Sequence, residues 1–146
     1  MRKYLVGGNW KCNGNLKFSM EFPQTVLNKL AFDTSKVDVV VCPTTLHLSA
    51  VKSFLNHQGI HVGCQNISLT GNGAFTGEIA AHMIKDMGVD WCLTGHSERR
   101  GLYGEDDRDM ALKTKFGLDN GMSVMACIGE SLVERKLNKT KMVNER

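Results

Sequence analysis

The hexapeptide Gly95-His96-Ser97-Glu98-Arg99-Arg100 follows the apolar run Val89-Asp90-Trp91-Cys92-Leu93-Thr94 and turns abruptly polar after its glycine. A histidine just past a strand, heading a short polar turn that could itself be helical, meets backbone N–H groups that fix which ring nitrogen carries the proton. Chemistry that depends on tautomer and charge is what such a residue can do; the plain alternative is a charged loop between strand and helix. A second candidate pair lies near the N-terminus. Tyr4-Leu5-Val6-Gly7-Gly8 reads as a strand that delivers Asn9 and Lys11 to a loop, and the two-residue period puts both side chains on one face.

The elements that must position these residues follow from hydrophobic pattern. Val37–Cys42 is a β-branched strand stopped by Pro43, Ile60–Gln65 a third strand, Val89–Thr94 a fourth, and Ser123–Ile128 a fifth leading to Gly129-Glu130. Between them, Phe18, Phe22, Val26, Leu27 and Leu30 recur at helical spacing, with Pro23 expected to start or bend that helix. His47–Phe54 predicts a short helix. Ile79, Met83 and Met87, with His82 beside them, predict another, closed by Gly88; His82 reads as a packed or boundary residue. Glu105-Asp106-Asp107 suits a helix N-terminus, and Met110, Ala111, Thr114 and Leu118 mark that helix's expected inner face. Ser131–Arg146 predicts one last, charge-rich helix. Five strand–helix units in alternation imply an α/β fold with a parallel sheet and right-handed crossovers, in one domain over residues 1–146. Doubly wound sheets and barrels both satisfy that pattern.

Composition narrows function. The chain has 146 residues, 42% apolar and 23% charged, enough for one domain with a real core. A formal charge of +3 with scattered basic residues argues against nucleic acid, whereas a small anion needs only local positive charge. No apolar run approaches a membrane span or a signal sequence, which predicts a soluble, cytoplasmic chain without membrane partners. Cys12, Cys42, Cys64, Cys92 and Cys127 are odd in number and far apart, predicting buried reduced thiols and neither disulfides nor a metal site. The glycines at 71, 73 and 77 miss the dinucleotide fingerprint, which wants its third glycine where Thr76 stands, so no cofactor is expected.

Asn9-Trp10-Lys11, Gly73-Ala74-Phe75-Thr76-Gly77-Glu78, Gly95-His96-Ser97-Glu98-Arg99-Arg100 and Cys127-Ile128-Gly129-Glu130, in this order, resemble the triosephosphate isomerase family. The resemblance runs the length of the chain and implies an incomplete (β/α)₈ TIM barrel of about five βα units, with each motif at a strand's C-terminal end. It further implies interconversion of glyceraldehyde 3-phosphate and dihydroxyacetone phosphate, a step of glycolysis and gluconeogenesis. By the same resemblance His96 would be a neutral electrophile at the substrate carbonyl, and Lys11 would meet the phosphate and the developing charge. Asn9 would orient the substrate, and Glu98 would be the acidic partner of Lys11. Cys12, Phe75 and Thr76 would lie at a homo-oligomer interface, with Thr76 at the tip of a loop reaching a neighbouring subunit.

Such barrels need roughly 250 residues, so about 100 are missing on the C-terminal side, and the family's catalytic glutamate and closing lid belong to that part. Glu130 follows strand five, not six, so no catalytic base is assigned in this chain. Two expectations follow. The chain by itself is inactive or nearly so, and its unpaired edge strands and uncovered barrel face drive self-association into dimers or tetramers. The alternatives are a non-catalytic half-barrel keeping a weak anion pocket, or one half of a split enzyme.

Overall fold

The computed structural model describes residues 2–145; Met1 and Arg146, the latter the end of the last predicted helix, lie outside the described residues. Five strands, β1 (Tyr4–Asn9), β2 (Val37–Cys42), β3 (Ile60–Cys64), β4 (Trp91–Thr94) and β5 (Ser123–Ala126), form one parallel sheet in sequence order. Every strand pairs with its successor, from Tyr4↔Val37 on one side to Thr94↔Ala126 on the other. Strictly sequential order with a helical crossover each time is the wiring of a barrel, which excludes the doubly wound alternative. The sheet is a curled half-barrel.

Helices α1 (Leu16–Thr25), α2 (Leu48–Phe54), α3 (Ala81–Asp86), α4 (Ser97–Tyr103) and α5 (Asp107–Asp119) connect the strands, and α6 (Leu132–Lys136) and α7 (Thr140–Asn144) follow β5. On the helix side, Val41, Val62, Cys64 and Cys92 of the sheet pack on Leu48 and Val51 of α2 and Ala81 and Ile84 of α3. Strand side chains alternate faces, so their neighbours Val40, Cys42 and Leu93 form a second, concave-side cluster with Trp91, Met125 and Cys127. The curl is tight enough that a methyl group on Gly7 would sit 3.6 Å from Met125 Sδ. The concave face of the central strands is therefore partly filled by its own side chains, with Trp91, Met125 and Cys127 only half-buried. Exposed apolar side chains run along β1 and residues 128–142, and others, such as Leu46, Leu102 and Tyr103, stand singly elsewhere.

Several local expectations are corrected. Pro23 lies inside the last turn of α1, where its missing N–H forfeits one helical bond; Asn15 starts that helix, its Oδ1 accepting from Phe18 N–H at 2.9 Å. Val26 and Leu30 fall beyond α1 and are exposed, while Leu27 is buried from a 3₁₀ turn. The inner face of α3 is Ala81 and Ile84, with Met83 and Met87 half out in solvent. That of α5 is Met110, Lys113, Thr114 and Gly117, whereas Ala111 and Leu118 are exposed. The predicted last helix is two short helices, broken where Asn138 adopts φ 56°. Asp106, as expected, caps α5 through a reciprocal pair of hydrogen bonds with Asp109.

All five cysteines are free thiols; Cys42, Cys64 and Cys92 are buried, Cys127 is half-buried, and Cys12, expected inside, is exposed. Burial pushes the Cys42 thiol up to about 12, which keeps it unreactive. Among the described residues no helix is long and apolar enough to cross a membrane.

Candidate active site

Two walls make the site. The first is the loop after β1, anchored because Trp10 packs edge-on against Phe18 and Phe22 of α1, with ring centroids 5.0 and 5.7 Å away. Next to that anchor, Asn9 Oδ1 accepts the Lys11 N–H at 2.9 Å, and Lys11 takes a left-handed backbone, φ 54°. For a residue with a β-carbon that conformation must be held by its surroundings.

The second wall begins at Gly95, φ 66°, where a β-carbon would come within 2.5 Å of Met110 Cγ. Only glycine makes that turn here. Arg100 Nε ties the Gly95 carbonyl at 2.7 Å, and buried Thr94 shares a 2.8 Å hydroxyl hydrogen bond with Thr114 beneath it. His96 then caps α4, its Nδ1 accepting the Glu98 N–H at 3.2 Å. An Nδ1 that accepts carries no proton, so a neutral His96 holds its proton on Nε2.

Lys11 Nζ and Glu98 Oε1 stand 2.9 Å apart, joining the walls. The lysine's hydrogen bond holds the Glu98 carboxyl below the usual carboxylate range against a smaller opposing effect of burial, with the nearby His96 adding to the lowering. Asn9, Lys11, His96 and Glu98 line one cleft of about 420 Å³, together with Gln65 and Glu78. The four residues predicted to act together are thus brought together.

Residues 4–146 match the family model for triosephosphate isomerase. The chain belongs to the triosephosphate isomerase family. It is 41% identical to a triosephosphate isomerase of Hahella chejuensis over 98% of its own length and 57% of that protein's. For the enzyme of Saccharomyces cerevisiae the identity is 43%, over 99% and 58% of the two chains, and for a chloroplastic one of Secale cereale 46%, over 94% and 45%. The chain spans about half the length of these relatives.

Each family motif follows a strand's C-terminal end: Asn9-Trp10-Lys11 at β1, Gly73–Glu78 after β3, Gly95–Arg100 after β4 and Cys127–Glu130 after β5. Glu130 does not line the cleft. Its Oε1 accepts from Arg135 and from Thr140, both at 2.9 Å. Cys12, Phe75 and Thr76 are all exposed. The loop carrying Phe75 and Thr76 is braced from within, since Glu78 N–H bonds the Phe75 carbonyl at 3.0 Å and His82 Nε2 meets Asn72 Oδ1 at 2.9 Å. His82 is half-exposed, a boundary residue, and is bonded to the loop.

Two features had no sequence signal. Gln65, read only as the end of a strand, reaches the cleft as an amide donor to two carbonyls. Glu105, read as a helix-start acid, is instead the buried partner of both Arg99 and Lys113, and Lys113 also donates to Asn66 Oδ1 at 2.9 Å.

Proposed function

We propose that this chain supplies the electrophile-and-cation part of a triosephosphate isomerase site, for a phosphorylated three-carbon sugar. One observation carries the reading: Asn9, Lys11, His96 and Glu98 converge on a single cleft with His96 Nδ1 engaged as an acceptor. Nε2–H is then the ring's donor toward a substrate carbonyl oxygen, and Lys11 is the cation for the phosphate and for charge developing on that oxygen. Asn9 fixes both the Lys11 backbone and the substrate's orientation. Glu98 holds the ammonium in place until an anion competes for it.

The proton transfer itself lacks a base. Among the described residues the carboxylates on the cleft are Glu98, engaged by Lys11, and Glu78, on the exposed loop. General acid–base catalysis typically contributes ~10²–10⁴-fold, so residues 1–146 alone turn over triose phosphate barely or not at all. The decisive measurement is isomerisation of glyceraldehyde 3-phosphate by the chain alone, by its His96→Ala variant, and by the chain mixed with a separately made C-terminal part of a relative. The expected result is no difference between the first two and restored turnover in the mixture, lost again with His96→Ala. Turnover by the chain alone, clearly above the His96→Ala level, overturns the assignment of the missing base.

We also propose that the chain self-associates through the Leu69–Glu78 loop, with Cys12, Phe75 and Thr76 in the contact. Exposed Leu69 and Phe75 on that loop support it, and the exposed apolar residues of β1 and of the segment after β5 offer a second surface. Light scattering across concentration tests this, and a monomer at every concentration refutes it.

A further inference from the structure

Lys11 carries a conformational demand that its own loop meets only on one side. Among the described residues it is one of two non-glycine positions with positive φ, the other being Asn138. Asparagine tolerates that region, whereas lysine has no local means of stabilising it. Lys11 is also half-exposed along its side chain, so packing does not hold it. Its backbone must be clamped on both sides. Asn9 Oδ1 takes the N–H, and the carbonyl is taken at 2.9 Å by Gln65 Nε2.

Gln65 is the first residue after β3, yet it reaches across β2 to the loop after β1. Its Nε2 makes a second 2.9 Å bond to the Cys42 carbonyl, the same oxygen that accepts Trp10 N–H at 3.0 Å where β1 leaves β2. An amide facing two carbonyls can only present its NH₂ end, and that end has two donors for the two acceptors. One side chain thereby staples the ends of three strands.

We propose that Gln65 is a positioning residue for Lys11: by holding the Lys11 carbonyl it locks the left-handed backbone that points Nζ at Glu98 and into the cleft. Without the clamp, rotation of φ to negative values carries the Lys11 side chain away from Glu98. The role of Gln65 in the site rests on the reading of Lys11 as the substrate's cation. Its geometric part does not, and is tested without turnover.

Glu98 is the reporter, because Lys11 is the largest influence on its titration and the His96 ring is the other ionisable neighbour. The Glu98 carboxyl is followed by residue-specific ¹³C NMR against pH in the unaltered chain, in Lys11→Met and in Gln65→Met. Lys11→Met defines the unpaired limit, with Glu98 titrating at higher pH. Gln65→Met is expected to move Glu98 most of the way to that limit although Lys11 is still present. If Gln65→Met unfolds more easily but leaves Glu98 titrating as in the unaltered chain, Gln65 is only structural and the proposal fails.

Should Gln65→Met not fold, the unaltered chain still decides the matter. Scalar couplings from Gln65 Nε2 to both the Lys11 and Cys42 carbonyl carbons, with slowly exchanging amide protons, support the clamp; absent couplings with fast exchange overturn it. Failure to bind triose phosphate would count against the site reading and leave these NMR results untouched.

Discussion

Strands β2 to β4 and strand β1 are built from the same kinds of residue but meet different fates. Val40, Cys64 and Cys92 are completely buried, whereas Tyr4, Leu5 and Val6 are 75%, 46% and 55% exposed. The difference lies in neighbours, not in residue type. A central strand has a strand on either side and helices behind it, while β1 has β2 alone, and the segment after β5 leaves Ile128, Leu132 and Val133 in solvent. The candidate site straddles this divide. His96 and Glu98 extend from central β4, whereas Asn9 and Lys11 extend from edge strand β1 and need a tie from β3, through Gln65, to be placed.

If the centre is finished and the edge is not, the largest stability loss comes from the buried ion cluster behind β4. Lys113 and Glu105 have side chains only 6% and 9% exposed. Glu105→Leu strands the Lys113 ammonium and is expected to cost about 3–5 kcal/mol in urea unfolding. Lys17→Ala, which removes the exposed pair with Glu21 on α1, changes stability by no more than about 1 kcal/mol. Similar losses in both would erase the distinction between centre and edge.

A second pair uses packing alone. Leu48→Ala, at a fully buried position of α2, is expected to cost about 2–5 kcal/mol, and Leu132→Ala, exposed at the start of α6, within about 0.5 kcal/mol. A costly Leu132→Ala would show that the segment after β5 is already packed in solution.

The acid limb of stability sharpens the same contrast with part of the first effect. Burial raises the Glu105 carboxyl, but hydrogen bonds and charge from Lys113 and Arg99 together outweigh it, so its folded pKa lies below the ordinary value. A depressed carboxylate contributes stability that is fully present above its unfolded pKa, about 4.3, and that is lost as pH falls from there through the folded value. Urea midpoints of the unaltered chain should fall across that window, and those of Glu105→Leu should fall less. Equal slopes would remove Glu105 as the source.

Much of this was legible in advance, and the failures share a cause. The β-branched run Val37–Cys42 needed no partner to announce itself, and the glycine that ends β4 marked where the polar site begins. Asn9, Lys11 and His96 stood out as polar residues directly after apolar strands, whereas the pairing of Glu98 with Lys11 came from the family resemblance. Lys113 was missed because apolar periodicity cannot see a buried lysine whose partner, Glu105, lies on another turn of the fold, and so the inner face of α5 was read one step off. Gln65 was missed for the same reason: an amide's role is set by the carbonyls it finds, and those belong to residues 23 and 54 positions away.

The smallest expected effect probes the edge alone. Asn138 joins α6 to α7 at φ 56°, and glycine adopts that conformation without the β-carbon penalty. Asn138→Gly should therefore steady the joint by about 0.5 kcal/mol or less, partly offset by the greater freedom of glycine in the unfolded chain. Because α6 is largely exposed, the gain should appear as up to about twofold slower hydrogen exchange of the α7 amides, including that of buried Val143, with the global urea midpoint unmoved. A shift of the global midpoint would mean that the terminal helices unfold with the central sheet, making residues 127–145 part of the same cooperative unit as β2 to β4.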